Sequence, residues 1–291
     1  MSLPSILAVF AHPDDESLSA GGLLARHAAA GARTAVVTAT WAAGTPRAGE
    51  LADALRLLGA APPRLLGAAP PRLLGYADGR FPQSAPGAAR LCDAPLDEVV
   101  GRLVAHVREF RPDIVVTHDP CGGLTDHPDH VHTHRVTVLA AQAAGPAGLH
   151  PDAGAPWRPD SVLLATHPDS AARDLGVRLV RSGRALHSVP DSWVGVRVDV
   201  RPWLERKIAA VMAHRSEVAR GALPGRPTAL PAAEREELLA TEWYVWYVRH
   251  PLAPAAAPAG LLTATAPYPG STDRAAGPVR PLPGGPSGPA C

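Results

Sequence analysis

The sequence predicts an α/β domain of Rossmann-like type, a doubly wound and mostly parallel sheet with helices on both faces. Three observations carry this: short apolar runs alternate with longer amphipathic segments, glycines or prolines punctuate them, and the first run ends abruptly in "HPDDE". Residues 5–11 fit a strand buried on both faces, because Ile6 to Ala11 are all apolar and Pro13 stops further pairing. A helix over about 17–30 follows, ended by Gly31, then a strand at 33–40 ("RTAVVTAT") and a helix over about 47–58. The alternation continues with a short strand near 72–75, a helix over about 95–110 and the strand "DIVVTH" at 113–118. A helix over about 130–144 and the strand "SVLLATH" at 161–167 complete it. Strands separated by helices imply parallel pairing with right-handed crossovers. Beyond them the pattern predicts a strand at 194–200, one amphipathic helix over 202–219, a helical piece at 231–241 and an aromatic strand at 242–249.

The chain of 291 residues is long enough for one substantial core, and the expected division is a domain over 1–250 with a tail over 251–291. That tail is rich in Pro, Ala and Gly with few large apolar residues, so it cannot offset the entropy of ordering and is expected to be disordered. Inside the domain "RLLGAAPP" occurs at 56–63 and again at 64–71, a duplication expected to lengthen one loop. Basic and acidic residues balance at 28 and 27, with no long run of either sign, which argues against a nucleic-acid or membrane-surface partner. Three scattered cysteines, no signal-like N-terminus and no long apolar span point to a cytoplasmic protein without a disulfide framework.

In parallel sheets ligands bind beyond the carboxyl ends of the strands, so the loops after them hold the chemistry. Two are unusual. "HPDDE" at 12–16 places three acids side by side, a charge density that asks for a cation, and "HDPCGGLTDHPDHVHTH" at 118–134 carries five histidines. Two imidazoles and a carboxylate with one open position make a catalytic zinc site, and these loops supply those ligand types. Thiolate sites are excluded by the lack of paired cysteines.

Together "AHPDDES" and the distant "GG…HPDHVHTH" resemble the zinc-dependent N-deacetylases of the LmbE/PIG-L family, a likeness that spans about residues 5–250 and includes "RAGELADALRLLG", "RPDIVVTHDP" and "EWYV". It is similar to the branch that deacetylates N-acetylglucosaminyl-inositol in mycothiol synthesis. The resemblance implies one zinc ion bound by His12, Asp15 and His130, with Asp14 as general base. It implies that His127 stabilises the oxyanion or, if charged, protonates the leaving amine, and that Asp129 orients His127. Arg47 and His214 match residues at the substrate pocket of the family, Asp78 in "YADGR" is placed to contact sugar hydroxyls from the next loop, and the partner implied is a small-molecule amino-sugar conjugate. The chain departs from that branch in the short segment "WAAGTP", in Glu217 where the family often has glutamine, and in Thr125 where tyrosine is common.

Plainer roles stand beside these. Asp14 at a helix start is also placed to cap it, and Asp78 before Gly79 is placed to form a turn. Glu16 is expected to support the helix start rather than bind metal, and Asp126 and His118 to hydrogen-bond within their loop. His132 and His134 are expected to pack, Cys121 to fill space near the site, and Trp243, Tyr244, Trp246 and Tyr247 to form a covered strand or a homo-oligomer contact. The expected reaction is hydrolysis of an N-acetyl or other N-acyl amide by metal-activated water. Amidase cleavage of a thiol conjugate and tailoring of a sugar-bearing natural product share that chemistry. A phosphoesterase lacks ligands for a second metal, and a non-catalytic sugar-binding module predicts a broken residue set.

Overall fold

A computed structural model describes residues 3–60, 72–179 and 186–249. Most of the "RLLGAAPP" repeat and the whole 251–291 tail lie outside the described residues. Seven strands form one sheet: β1 (Ile6–Phe10), β2 (Thr34–Thr40), β3 (Arg72–Tyr76), β4 (Ile114–His118), β5 (Ser161–Thr166), β6 (Val196–Asp199) and β7 (Thr241–Arg249). Their order is β3-β2-β1-β4-β5-β7-β6; the first five are mutually parallel, and β7 runs antiparallel to both β5 and β6.

Alternate residues of β1 serve opposite faces, as strand geometry requires. Ile6, Ala8 and Phe10 pack with Leu23 and Leu24 of α1 (Asp15–Ala29), with Leu51 and Leu58 of α2 (Pro46–Leu58), and with Ala210 of the later helix α6 (Leu204–Ala213). Leu7 and Val9 pack on the other side with Val99 and Leu103 of α3 (Leu96–Phe110) and Val136 of α4 (Pro128–Ala143). Both faces are therefore covered, and β1 is apolar throughout. In strand order the chain steps outward from β1 to β3 and then crosses back to β4, so β1 and β4 are the neighbours whose connections diverge. The crevice beyond their carboxyl ends is where such sheets bind ligands.

Local signals set the ends of α2, with Pro46 in its first turn, the Thr45 hydroxyl accepting the Ala48 N–H at 3.3 Å, and Gly59 in the left-handed conformation that closes it. Helix α1 carries a buried inserted group. The Glu242 carboxylate of β7 accepts the N–H groups of Gly22 (2.8 Å) and Leu23 (2.9 Å), the Lys207 ammonium (2.7 Å) and the Tyr244 hydroxyl (2.9 Å). Gly22 is required where it stands, since a Cβ there would lie 2.3 Å from Val200.

Two elements differ from the sequence pattern. The predicted helix over 202–219 is broken at His214 into α6 (Leu204–Ala213) and α7 (Arg215–Ala219). His214 leaves the helical region (φ −78°, ψ 60°) to reach Glu16, and α7 restarts with the Ser216 N–H and hydroxyl both donating to Glu50. Helix α5 (Asp169–Leu179) has no counterpart in the sequence pattern, because Gly176 and the scattered charges of Asp169, Arg173, Asp174 and Arg178 obscure its period; α8 (Ala232–Leu239) matches the polar piece expected there. No helix of the described residues is long and apolar enough to cross a membrane.

Candidate metal centre and acid-base site

The loop after β1 turns into α1 through Asp14, whose backbone takes φ 139° and ψ −29°, a region seldom occupied by a residue with a side chain. Two carboxylates hold it there. Asp15 Oδ2 accepts the His12 N–H at 2.8 Å, and Glu16 Oε2 accepts the Asp14 N–H at 3.0 Å. The Asp14 side chain makes no capping bond and opens into the cavity above. Glu16, itself fully buried, also accepts the Ser17 hydroxyl (2.6 Å) and faces His214 Nε2 at 2.9 Å. Burial opposes charge on both partners, yet their pairing outweighs it, raising the His214 pKa and lowering that of Glu16.

The loop after β4 is shaped by Asp119, which accepts the Cys121 and Gly123 N–H groups and the Thr166 hydroxyl. It then enters α4 at His127, where the Asp129 N–H donates to His127 Nδ1 at 3.2 Å. Gly122, with φ 72°, lets the loop lie against the helix, since a Cβ there would meet His130 Cβ at 2.9 Å. Its carbonyl takes the His130 Nδ1 proton at 3.0 Å, which leaves the Nε2 lone pair of His130 free.

His12 is fixed in the complementary way. Its Nε2 lies 3.1 Å from Asp129 Oδ2 and 3.4 Å from Asp78 Oδ2, which places a proton there and turns Nδ1 toward the other two donors. That Nδ1 is 3.1 Å from His130 Nε2 and 3.4 Å from Asp15 Oδ2, while His130 Nε2 is 3.3 Å from Asp15 Oδ1. Three donor groups thus converge, and a metal ion bound among them would displace the second proton that His12 otherwise carries on Nδ1. The two nitrogens are 3.1 Å apart and each has a different Asp15 oxygen within 3.4 Å, separations close to the roughly 3.3 Å between neighbouring ligand atoms around a tetrahedral ion with bonds of about 2.0–2.1 Å. The electrostatics agree: burial disfavours charge on His12, but Asp129, Asp15 and Asp78 together push its pKa up to about 10. The cradle calls for positive charge. Among the described residues, every group of His, Cys, Asp or Glu donors close enough to hold an ion lies here.

The structure therefore brings His12, Asp15, His130, Asp14, His127, Asp129 and Asp78 into one cluster, and two of the sequence expectations, for Asp129 and His214, change in detail. Asp129 lies 3.9 Å from His127 Nδ1 and instead bonds His12 and the Gly79 N–H (2.8 Å), so its carboxylate orients His12. Arg47 lines the cavity as expected and is also tied to its wall: Nη2 meets Asp14 Oδ2 at 3.1 Å and donates to the Pro13 carbonyl, and Nη1 meets Glu217 Oε1 at 3.1 Å. His214 is fully buried behind Glu16 and is not part of the cavity wall. Asp78 accepts the Arg80 and Phe81 N–H groups as the expected turn former, and it also lines the cavity.

His118 accepts the Ala11 N–H at Nε2 and stacks on His130 with ring centroids 4.1 Å apart, so that nitrogen is already engaged. His134 donates to the His118 carbonyl at 2.8 Å, and Asp126 points to His187 at 3.6 Å. Burial pushes Asp14 up to about 7, against the pull of Arg47, while burial with the His12 and Arg80 charges pushes His127 down to about 4. A carboxylate ionising near neutrality suits a general base, and a neutral His127 with its Nδ1 occupied carries its proton on Nε2.

The cavity above the cluster measures ≈ 390 Å³. Besides the cluster it is walled by Arg80, Phe81, Glu217, Arg220 and Leu223, none of which the sequence singled out as pocket residues. Arg220 covers Phe81 at 5.0 Å and pairs with Glu217. These residues come from two distant segments, so no local spacing could have revealed them.

Comparisons with known proteins supply a matching family model, sequence relatives and a shared fold. Residues 7–141 match the family model described as PIG-L, GlcNAc-PI de-N-acetylase. A 1D-myo-inositol 2-acetamido-2-deoxy-alpha-D-glucopyranoside deacetylase of Rhodococcus jostii is 39% identical over 275 residues, covering 84% of this chain and 92% of the relative. A Streptomyces avermitilis protein of the same name is 35% identical over 272 residues, covering 82% and 90%. Among solved structures, a conserved protein of Thermus thermophilus shares the fold with a TM-score of 0.59 at 24% identity, covering 87% of this chain and 99% of that one. The N,N'-diacetylchitobiose deacetylase of Pyrococcus horikoshii does so with a TM-score of 0.56 at 18% identity, covering 86% and 88%.

Proposed function

Because the chain belongs to the PIG-L family of de-N-acetylases, we propose that it hydrolyses the N-acetyl amide of a small amino-sugar conjugate at a zinc ion held by His12, Asp15 and His130. The observation that carries this reading is the convergence of two imidazoles and the Asp15 carboxylate at 3.1–3.4 Å, beside a carboxylate that neither binds the cradle nor caps its helix. When bound, zinc supplies a water acidified to a pKa of about 7 and polarises the amide carbonyl.

The remaining work falls to side chains. Asp14 takes the proton of the attacking water, held in place through its main chain by Glu16 and through its carboxylate by Arg47. His127 is neutral near pH 7, so it acts as a hydrogen-bond donor from Nε2 to the oxygen on which charge develops. Asp14, protonated after the attack, is the group that returns a proton to the departing amine. Asp129 holds a proton on His12 Nε2, which leaves Nδ1 as the ligand atom. The names of the curated relatives support an amino sugar joined to inositol as the substrate class.

The test is acetate release by zinc-loaded protein from N-acetylglucosaminyl-inositol and simple N-acetylglucosaminides, with and without chelator. Chelator-sensitive release is expected. Asp14→Asn should keep its metal through dialysis and lose about 10²- to 10⁴-fold in rate, whereas Asp15→Ala should lose the metal. Unchanged turnover of Asp14→Asn, or silence across the panel with zinc bound, would overturn the reading.

A further inference from the structure

A second cavity, ≈ 90 Å³, abuts the first on the far side of the donor cluster. The two share Asp15, Leu18, Thr125, His130 and Leu223 as common wall. Beyond that wall their character diverges. Asp14 and His127, the groups that handle protons or developing charge, line only the large cavity, together with Asp78, Arg80 and Glu217. The small one is roofed by an apolar cluster of Leu124, Leu175, Leu238 and Trp243. Its floor carries no uncompensated charge, since Lys207 is paired with Glu242 at 2.7 Å and burial pushes His167 down to about 4, keeping it neutral.

An amide held at the donor cluster has two ends. Its nitrogen must lie within reach of Asp14, so the amine and the sugar attached to it occupy the large polar cavity. Its acyl substituent then projects the opposite way, toward the small apolar one. An acetyl methyl reaches only the mouth. A volume of ≈ 90 Å³ holds roughly three more methylene-sized groups, at about 30 Å³ each. The small side chain of Thr125, on the shared wall, does not screen one cavity from the other with an aromatic ring.

We infer that the small cavity is an acyl-chain site, and that the enzyme cleaves N-propionyl and N-butyryl amino sugars as well as N-acetyl ones. This rests on the hydrolase reading above and deepens it. The chemistry is unchanged: the water oxygen bonds to the acyl carbon, the C–N bond breaks, the amine leaves with a proton, and a short-chain carboxylate is released.

The experiment compares N-acetyl, N-propionyl, N-butyryl and N-octanoyl derivatives of one glucosaminide with zinc-loaded protein, and measures inhibition by acetate and butyrate. Butyryl should be cleaved with a kcat/KM at least equal to that for acetyl, with a gain of up to about 4-fold per buried methylene. Octanoyl exceeds the ≈ 90 Å³ available and should fall away sharply, and butyrate should inhibit more strongly than acetate. Leu175→Trp and Leu238→Trp fill the cavity from different helices, and in either folded variant the butyryl-to-acetyl ratio should drop at least about 10-fold. Acetyl cleavage with propionyl and butyryl more than 100-fold slower in the wild type would overturn the acyl site and leave the deacetylase reading standing. A ratio unmoved in both folded variants would overturn it as well. Failure to cleave any member with zinc bound would overturn both.

Discussion

Replacing Arg47 with methionine separates two roles for a buried guanidinium, tuning the base or gripping the substrate. In the structure only 4% of the Arg47 side chain is exposed, and its Nη2 lies 3.1 Å from Asp14 Oδ2. Burial pushes Asp14 up to about 7, and the Arg47 charge is the strongest influence in the opposite direction. An opposite charge this close lowers a carboxyl pKa by roughly 1–3 units. Methionine keeps the length and volume of the stem and removes the charge, while Glu217 retains Arg220 as a partner. The Asp14 pKa should therefore rise by about 1–3 units. Because the base works as a carboxylate, kcat/KM follows its ionised fraction, and the acid limb of the pH profile moves to higher pH by that amount. Below both midpoints the loss is about 10- to 1,000-fold, tenfold per unit, and much of it returns as pH is raised. A bound cation lowers the limb in both proteins alike, so the displacement between them is the quantity to read. The assay is kcat/KM from pH 5.5 to 10, with metal content measured for each protein. An unmoved limb with raised KM would refute the argument and return Arg47 to the substrate-binding role implied by the family resemblance.

Two further predictions concern stability. His27 is buried and its Nδ1–H donates to the Pro4 carbonyl at 2.9 Å; burial pushes its pKa down to about 4, against 6.5 when unfolded. The unfolded chain then binds the extra proton, so this contribution is intact above pH 6.5 and is lost as pH falls toward 4. The loss is about 2 kcal/mol between pH 7 and pH 5, and urea titrations of His27→Gln at both values should lack it; equal pH slopes in the two proteins would sink the idea. Lys207 and Glu242 are each about 2% exposed in their side chains and pair at 2.7 Å, so Lys207→Met leaves a buried carboxylate with neutral donors only and should cost about 3–5 kcal/mol. Lys207→Met combined with Glu242→Gln should recover part of that, a coupling of at least about 1.5 kcal/mol, whereas strictly additive denaturation energies would show that the pair does not act as a unit.

The comparison of sequence with structure divides along the range of the interactions involved. The order of strands and helices was readable because each element buries a face, and burial writes a period of two, or of about 3.6, into consecutive residues. The two ligand-bearing loops were readable because they are short and dense in unusual residues, and because a parallel sheet sends such loops to one edge. What the sequence by itself determined, then, was the α/β layering, the edge that carries the site and the residue types that converge there. Tertiary structure alone decided the partners. That Asp129 holds His12 instead of its near neighbour His127, that Arg47 is spent on Asp14 and Glu217, and that His214 breaks a helix to meet Glu16 all depend on segments far apart in the chain, 117 residues in the first case and 198 in the last. The same holds for the small cavity, whose walls come from α5, α8 and β7 closing over the two loops. A hydrogen bond or a void is a property of distances in space, and the local pattern of a chain records only which faces must leave water, not which side chains then meet.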